Sequence, residues 1–459
     1  MTDPQFAATA ASAPLDPRRW LILAALGIAQ LMLIIDVTVV AVALPDLGAD
    51  LGLDRAGVAW VASIYALAFG GLMLLGGRAA DIVGPRRLVL AGLVVFTAAS
   101  MLAGLASGVE TMLAARALQG VGAAMMSPAA LSVIVRTFSG AELTRALGVW
   151  SALGGAGAAV GVLLGGVLTS GPGWPWVFYV NVPLGVLLLV ALRRWVPPLA
   201  GDGGRLDVAG AVLATASTGA VVYGLISAGD SGWVSVHTVL PAAVAIAGYA
   251  LFAWRIRTAS TPLVEPGMLR RRPIVRGLAL VFVATALMIS VFFLGSFGLQ
   301  RSHELTALET GLSFLPVAAG TILGSALAGR VLPRWGVRAV SVAGLMIAAI
   351  SMAAAAAIPS VVALIVSTTA AGFGIGAGFV SAAASLFSAV QPHEAGVASG
   401  ALSTFHEFGA ATGVAAVSSV AAAALVTPAA DAFASGYWFA AVVAAVAGLL
   451  CLVRPKERR

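Results

Sequence analysis

Arginine in this chain falls almost entirely in alternate gaps between long apolar runs. A bilayer core is about 30 Å thick, so a helical crossing needs ~20 mostly apolar residues. Fourteen such runs can be counted, at roughly 20–44, 57–77, 87–108, 111–135, 146–170, 179–195, 207–228, 237–256, 275–299, 310–332, 337–358, 361–388, 396–425 and 434–453. Arg18 and Arg19 precede the first. Arg78, Arg86 and Arg87 fill the second gap, Arg136 and Arg145 the fourth, and Arg193, Arg194 and Arg205 the sixth. The eighth gap holds Arg255, Arg257, Arg270, Arg271, Arg272 and Arg276, and the tenth Arg330, Arg334 and Arg338. The chain ends RPKERR, whereas the odd gaps hold only Arg55 and Arg301. Short basic loops stay in the cytoplasm. Both termini are therefore expected there, which requires an even number of spans.

The expected fold class is an all-α polytopic membrane protein. Sixty per cent of the residues are hydrophobic and ten per cent charged, and no gap is long enough for a soluble domain. The net charge of +7 lies along one membrane face, where it meets anionic lipid headgroups, so it does not argue for a nucleic-acid partner. One cysteine, Cys451, excludes an intrachain disulfide. No phosphate-binding GxxxxGK[ST] segment is present, and neither a cofactor nor a metal is expected. Residues 1–17 are Ala/Pro-rich without an apolar centre and read as a disordered tail, not a signal peptide.

The chain repeats itself at an offset of 252. Gly77, Arg78, Gly84 and Arg86 fall on Gly329, Arg330, Gly336 and Arg338. Gly120 and Gly122 fall on Gly372 and Gly374, and Gly157 and Gly161 on Gly409 and Gly413. The shift maps spans 2–5 onto spans 10–13 and keeps their orientation, so the repeats are parallel. Parallel halves related by an axis along the membrane normal describe a transporter architecture. The expected division is an N-terminal six-helix half (18–197), an inserted helix pair (198–258), a C-terminal six-helix half (259–453) and a basic tail (454–459).

Between spans 2 and 3 runs GRAADIVGPRR, Gly77 to Arg87. Gly77 and Gly84 permit a tight turn, and Asp81 can pair with the arginines or face a helix N-terminus. A plain topology loop is the alternative, but it calls for neither the acid nor the glycine spacing. Span 4 carries LAARALQGVGAA, with Arg116 inside the apolar run, where charge is costly and functional or paired. Counting 1.5 Å per residue, Arg116 lies ~8 Å and Asp36 of span 1 ~12 Å below the outer surface. They are natural partners, either as a structural ion pair or as a pair whose strength changes with protonation.

The Gly77–Arg87 loop resembles the signature of the major facilitator superfamily, Gly-x-x-x-Asp-x-x-Gly-Arg-Arg/Lys, with Pro85 where the family has its first basic residue. The resemblance implies that Asp81, Arg86 and Arg87 clamp the two halves together at the cytoplasmic side in one conformer. Arg116 to Gly120 is similar to the family's Arg-x-x-Gln-Gly segment. Asp36 with Thr38 and the following ALP, PLVEPGMLRRR before span 9 and Leu299-Gln300 after it resemble the fourteen-helix drug–proton antiporter family.

In span 5, Gly157, Gly161 and Gly165 are four residues apart on one helix face. Either this is ordinary small-residue packing or, with Gly166, it resembles the superfamily's antiporter motif, in which Val162 replaces a proline. WPWVFYVNVPLG, Trp174 to Gly185, fits the same family's entry into span 6. In span 13, Glu407 lies ~16 Å in from the cytoplasmic start. Burial disfavours a charged carboxyl, which suits a reversible proton carrier; an interhelical hydrogen bond is the alternative. His406 lies about 100° round the helix and is expected to pack or face outward.

Together these features point to a proton-coupled exporter of hydrophobic or amphipathic drugs, a monomer in the cell membrane, with Asp36, Arg116 and Glu407 as coupling or substrate residues. A narrow exporter of an endogenous metabolite, antibiotic or lipid is the second reading. Uptake by proton symport is a more distant one. An intramembrane hydrolase built on Ser399 or Ser403 with His406 lacks an oxyanion site and a second acid, so no enzyme is expected. Trp60, Tyr65, Trp150, Phe292 and Phe293 are candidates for an apolar cavity wall or for lipid contact.

Overall fold

The computed structural model describes residues 18–452, apart from 202, 204–205, 265, 392–393 and 423–432. The expected tails, 1–17 and 454–459, lie outside the described residues. Those described form helices joined by short connections, with no strand among them. The helices are α1 (Arg19–Asp50), α2 (Arg55–Val83), α3 (Pro85–Gly104), α4 (Val109–Thr137), α5 (Gly140–Ser170), the short α6 (Trp176–Tyr179), α7 (Asn181–Trp195), α8 (Val208–Ser231), α9 (Val236–Thr258), α10 (Arg272–Phe297), α11 (Ala307–Ala357), α12 (Val361–Phe387), α13 (Ala395–Val420) and α14 (Ala434–Leu452). Among the described residues, eleven helices are long and apolar enough to cross a membrane. A helix meets every internal backbone donor and acceptor within itself, as hydrocarbon requires. Where helices begin, side chains supply the missing acceptors: Asp54 accepts from the Gly57 amide at 2.7 Å and Asp207 from Gly210 at 3.0 Å. Thr306 and Glu309 cap α11 reciprocally.

The polar links between helix ends sort onto two faces. On one, Arg19 meets Glu142, Arg86 donates to the Arg193 carbonyl, Arg136 to the Ala200 carbonyl, Arg271 pairs with Glu394, and Arg338 donates to the Cys451 carbonyl. On the other, Trp174 donates to Asp50, Arg55 pairs with Asp230, and the Leu308 amide donates to Ser170. The first face is the arginine-rich one, read above as cytoplasmic.

The repeat reappears as geometry. Gly84, between α2 and α3, has φ 99°, and Gly336, where α11 breaks into two arms, has φ 75°. The α-carbon of Gly120 faces the Tyr65 carbonyl, and that of Gly372 faces the Val317 carbonyl; Gly122 meets the Gly92 carbonyl as Gly374 meets that of Gly344. Each of these partners is also displaced by 252. The ion pairs follow the same rule. Arg19 Nε lies 2.8 Å from Glu142 Oε2, tying α1 to α5, and Arg271 Nη1 lies 2.6 Å from Glu394 Oε2 at the foot of α13.

Helices α8 and α9 pack on each other, and α8 also lies against α2 and α13. Only Ala245 and Ile256 of α9 are buried, so this apolar helix presents most of its surface outward. Polar contacts tie α9 to the start of α8 and the end of α8 to α2. Arg255 donates from Nε and Nη2 to Asp207 Oδ1 at 3.1 Å, and Arg55 Nε to Asp230 Oδ1 at 2.9 Å.

The repeat-related glycines Gly84 and Gly336 differ in one respect. A Cβ on Gly84 would lie 2.5 Å from the Leu199 carbonyl oxygen, whereas one on Gly336 would meet nothing within 4 Å. Gly336→Ala is expected to cost only backbone strain, about 1–3 kcal/mol. Gly84→Ala should cost more, since it adds a backbone clash. Thermal unfolding of the two purified variants in detergent checks the order; equal losses would contradict it.

Candidate functional site

A cavity of about 1580 Å³ lies between the α1–α5 group and the α10–α13 group. Drug-sized pockets are typically ~300–1,000 Å³, so this one exceeds a single small ligand. Its mouth is lined by Arg78, Asp81, Arg136 and Asp207 and its deep end by Ala41, Phe292, Glu407 and Ala410. It therefore opens on the arginine-rich face. Towards the other face the two groups are closed against each other. Gln300 Nε2 donates to the Val42 carbonyl at 2.9 Å, and the Ser63 hydroxyl to the Ala411 carbonyl at 3.2 Å. A Cβ on Gly311 would lie 2.4 Å from the Val162 carbonyl oxygen, and one on Gly166 would lie 2.9 Å from the Ala307 carbonyl oxygen and the Leu308 α-carbon.

Beside the cavity, and sealed from it, is a polar cluster around Asp36. Asp36 and Arg116 are each 1% exposed. Arg116 Nη1 lies 2.5 Å from Asp36 Oδ2. Gln119 Nε2 donates to Asp36 Oδ1 at 3.0 Å, and Asn181 Nδ2 to the same oxygen at 3.2 Å. Arg116 also donates to Gln119 Oε1, while Gln119 contacts the Ser100 hydroxyl at 2.8 Å. The guanidinium lies over the Tyr65 ring, 4.5 Å from its centroid, within cation–π range. Helices α4 and α7 thus converge on the α1 carboxylate, and α3 joins the cluster through Ser100 and Gln119. The structure brings the two expected partners together but turns them away from the cavity, because Arg116, Gln119 and Asn181 draw the Asp36 carboxylate towards α4 and α7. Gln119 was legible: three residues from Arg116, it shares that helix face. Ser100 and Asn181 carried no such signal.

Glu407 has the opposite setting. It lines the cavity, with His406 Nδ1 3.1 Å from its Oε1. Both side chains line the cavity, so of the two expectations for His406, packing or facing outward, the outward one is corrected. The His406 ring lies against Phe379, centroids 5.8 Å apart, and this contact swings it towards the carboxylate. Phe69, Trp150 and Phe292 supply aromatic wall. Tyr65 and Phe293 are buried in packing instead, and Trp60 is partly buried against the main apolar cluster.

At the mouth, Asp81 Oδ1 lies 3.9 Å from Arg136 Nη2 of α4. Arg86 donates to the Arg193 carbonyl at 2.7 Å, and Arg87 is exposed. Gly77 faces Pro128 of α4. These contacts stay within the α1–α7 part of the chain. The clamp between halves that the family resemblance implies is not engaged here, because the cavity is open at that face. In α5, Gly157 meets Leu31 and Ile34, Gly161 meets Thr38, and Gly165 meets Val39. The glycine face expected from spacing therefore packs on α1, while Gly166 turns to α11.

Removing one member of a buried ion pair leaves the other charge uncompensated, at about 3–5 kcal/mol. Asp36→Ala and Arg116→Ala are each expected to destabilise on that scale, and the double variant by clearly less than their sum. Unfolding midpoints of the three proteins test this; strict additivity would contradict a coupled pair.

Comparison with known proteins places this geometry. A profile of the Major Facilitator Superfamily matches residues 26–414 and, overlapping, 277–459. The chain is 38% identical over 427 residues to the puromycin resistance protein pur8 of Streptomyces alboniger, covering 91% of this chain and 84% of that protein. It is 36% identical to the cephamycin export protein CmcT of Amycolatopsis lactamdurans, over 84% of this chain and 82% of that protein. It is 32% identical to the multidrug resistance protein Stp of Mycobacterium tuberculosis, over 88% and 76%. Among solved structures, an inward-facing bacterial homologue of the lysosomal transporter Spinster superposes with a TM-score of 0.68 at 17% identity, covering 95% of both chains. A POT family transporter bound to 5-aminolevulinic acid superposes with a TM-score of 0.70 at 14% identity, covering 95% of this chain and 96% of that one. The protein is a multi-pass transporter of the cell membrane and belongs to the major facilitator superfamily.

Proposed function

We propose that this protein exports hydrophobic or amphipathic drugs from the cell in exchange for protons, acting as a monomeric carrier and not as an enzyme. The observation that carries the reading is a large, mostly apolar cavity, open at the cytoplasmic face and closed at the other, with a carboxyl at its deep end. Apolar and aromatic walls suit amphipathic molecules of varied shape. Glu407 there can hold either a proton or a cationic group, and the competition between them couples the two fluxes. Asp36 and Arg116 form the second proton-linked element, held out of substrate contact. Asp81, Arg86 and Arg87 are the gate that engages when the cytoplasmic mouth closes, and the α5 glycines let α1 and α5 move as one unit.

The architecture we infer is the fourteen-span one, with halves at 18–197 and 259–453 around the inserted pair at 198–258. It is supported by the break of the 51-residue α11 at Gly336, and by the lengths of α5 (31 residues) and α13 (26 residues). Lipid headgroups meet the basic face. A second reading is a narrow exporter of one antibiotic or metabolite. The names of the puromycin and cephamycin relatives favour it.

In liposomes holding the purified protein, an imposed pH gradient should drive ethidium movement. Glu407→Gln should lower that rate about tenfold or more. If no gradient moves the dye but a puromycin-like or cephalosporin-like compound is carried, the narrow reading stands. If Glu407→Gln transports ethidium like the parent, its coupling role is wrong.

A further inference from the structure

The two membrane-embedded carboxyls are held very differently. Asp36 is met by Arg116, Gln119 and Asn181. Among the described residues, the Glu407 carboxyl has one partner, His406, with Nδ1 and Oε1 3.1 Å apart. The Glu407 side chain is 12% exposed. Helix α2 closes on its stem at Gly70, where a Cβ would lie 2.5 Å from the Glu407 Cβ. The imidazole is the more open of the two, 44% exposed. It lines the cavity and rests against Phe379, which lines it too. A carboxylate so little exposed calls for a positive partner. A protonated imidazole is one, and imidazole is the side chain that ordinarily gains and loses its charge between about pH 5 and 8.

No other described titratable group competes for this position. Helices α1, α10, α11 and α12 line the cavity without one. Helix α2 contributes Arg78 and Asp81, α4 Arg136 and the start of α8 Asp207, all at the mouth. Arg78 lies eight residues beyond Gly70 on α2, or ~12 Å of helix. Asp36 and Arg116 are sealed from the cavity.

We propose that His406 carries the proton that a cationic substrate displaces at Glu407. The inference rests on the proton-antiport reading above and names the group within it that gives up the proton. Before substrate enters, the imidazolium Nδ1–H donates to the Glu407 carboxylate. An incoming cation takes the carboxylate, and two like charges then stand side by side, which disfavours the imidazolium. The Nδ1–H bond breaks, its electron pair stays on Nδ1, and the proton leaves to water in the cytoplasm-facing cavity. The imidazole remains neutral, with its hydrogen on Nε2. After the cavity has turned to the other face and the cation has left, a proton from that side returns to Nδ1 and restores the pair. One proton enters for each cation exported.

Ethidium is a permanent cation, so any proton released when it binds comes from the protein. The test mixes it with the purified transporter in weakly buffered detergent containing a pH-indicator dye, and measures its affinity across the same pH range. The parent is expected to release up to about one proton per ethidium bound, and its affinity should weaken as pH falls, by at most about tenfold per unit, the limit for one linked proton. His406→Asn keeps a donor beside Glu407 but no exchangeable charge. It should bind ethidium within about twofold of the parent at the alkaline end of the imidazole range, with its proton release and pH dependence lost. Proton release equal to the parent's in this variant overturns the proposal and leaves the proton on the Glu407 carboxyl. Loss of ethidium binding at every pH also overturns it, since His406 would then be a binding contact. A parent that releases no proton, while a gradient still drives its ethidium flux, overturns the role of His406 and leaves antiport standing. A parent that binds ethidium but whose flux no pH gradient drives overturns the antiport reading, and this proposal with it.

Discussion

Close approach of helix backbones at glycine is the contact on which the rest of this structure depends. Lipid tails are as apolar as leucine, so no hydrophobic force draws one membrane helix to another. Dispersion between backbones must do it, and only a helix face without side chains comes near enough. Gly120 rests on the Tyr65 carbonyl and Gly122 on that of Gly92. These contacts set the height of α4 against α2 and α3. Arg116 and Gln119, one turn and one residue before Gly120, are thereby delivered to Asp36, Ser100 and the Tyr65 ring. The same device, displaced by 252 residues, docks α12 on both arms of α11. Gly70 brings α2 against α13 beside Glu407, and Gly166 brings α5 against α11. The glycines therefore decide both the packing within each group and the closure between groups.

Charge is handled in two ways. At the arginine-rich face the Arg19–Glu142 pair is partly exposed, and such pairs are individually weak, about 0–1 kcal/mol, while the matching Glu394 is buried beneath Arg271. Their value is positional: Arg19 with Glu142 and Arg271 with Glu394 tie matching helix ends in the two repeats. Inside the bundle, Asp36 and Arg116 have no water to fall back on. Every oxygen of the carboxylate is met by a donor from another helix, so the cluster is rigid as long as Asp36 is ionised. Protonating it removes the reason for these helices to converge there, which gives a local chemical event a route to a global rearrangement.

The two carboxyls are thus matched in being membrane-embedded and opposed in access. Asp36 is closed off from the cavity, and Glu407 borders it. In the reading proposed here, a proton and a cationic substrate compete only at Glu407, while Asp36 reports the proton to the helices that rock.

Much of this was legible in the order of residues. Alternating arginine gaps define which ends share a face, because charge is excluded from hydrocarbon whatever the fold. The offset of 252 predicts the paired glycine turns at Gly84 and Gly336, since a left-handed backbone position needs glycine in both copies. The same offset would have led from Arg19 and Glu142 to Arg271 and Glu394. Similar depth made Asp36 and Arg116 partners. Tertiary structure alone decided which way those partners face, because rotation of α1 about its axis is set by Gly161 and Gly165 of α5 pressing on it, not by depth. It alone brought Asn181 to the carboxylate and Ser100 to Gln119, turned His406 to Glu407 through Phe379, and left the cytoplasmic clamp disengaged. A hydropathy pattern records how deep a residue lies in the membrane, but azimuth and conformational state arise only when neighbouring helices meet.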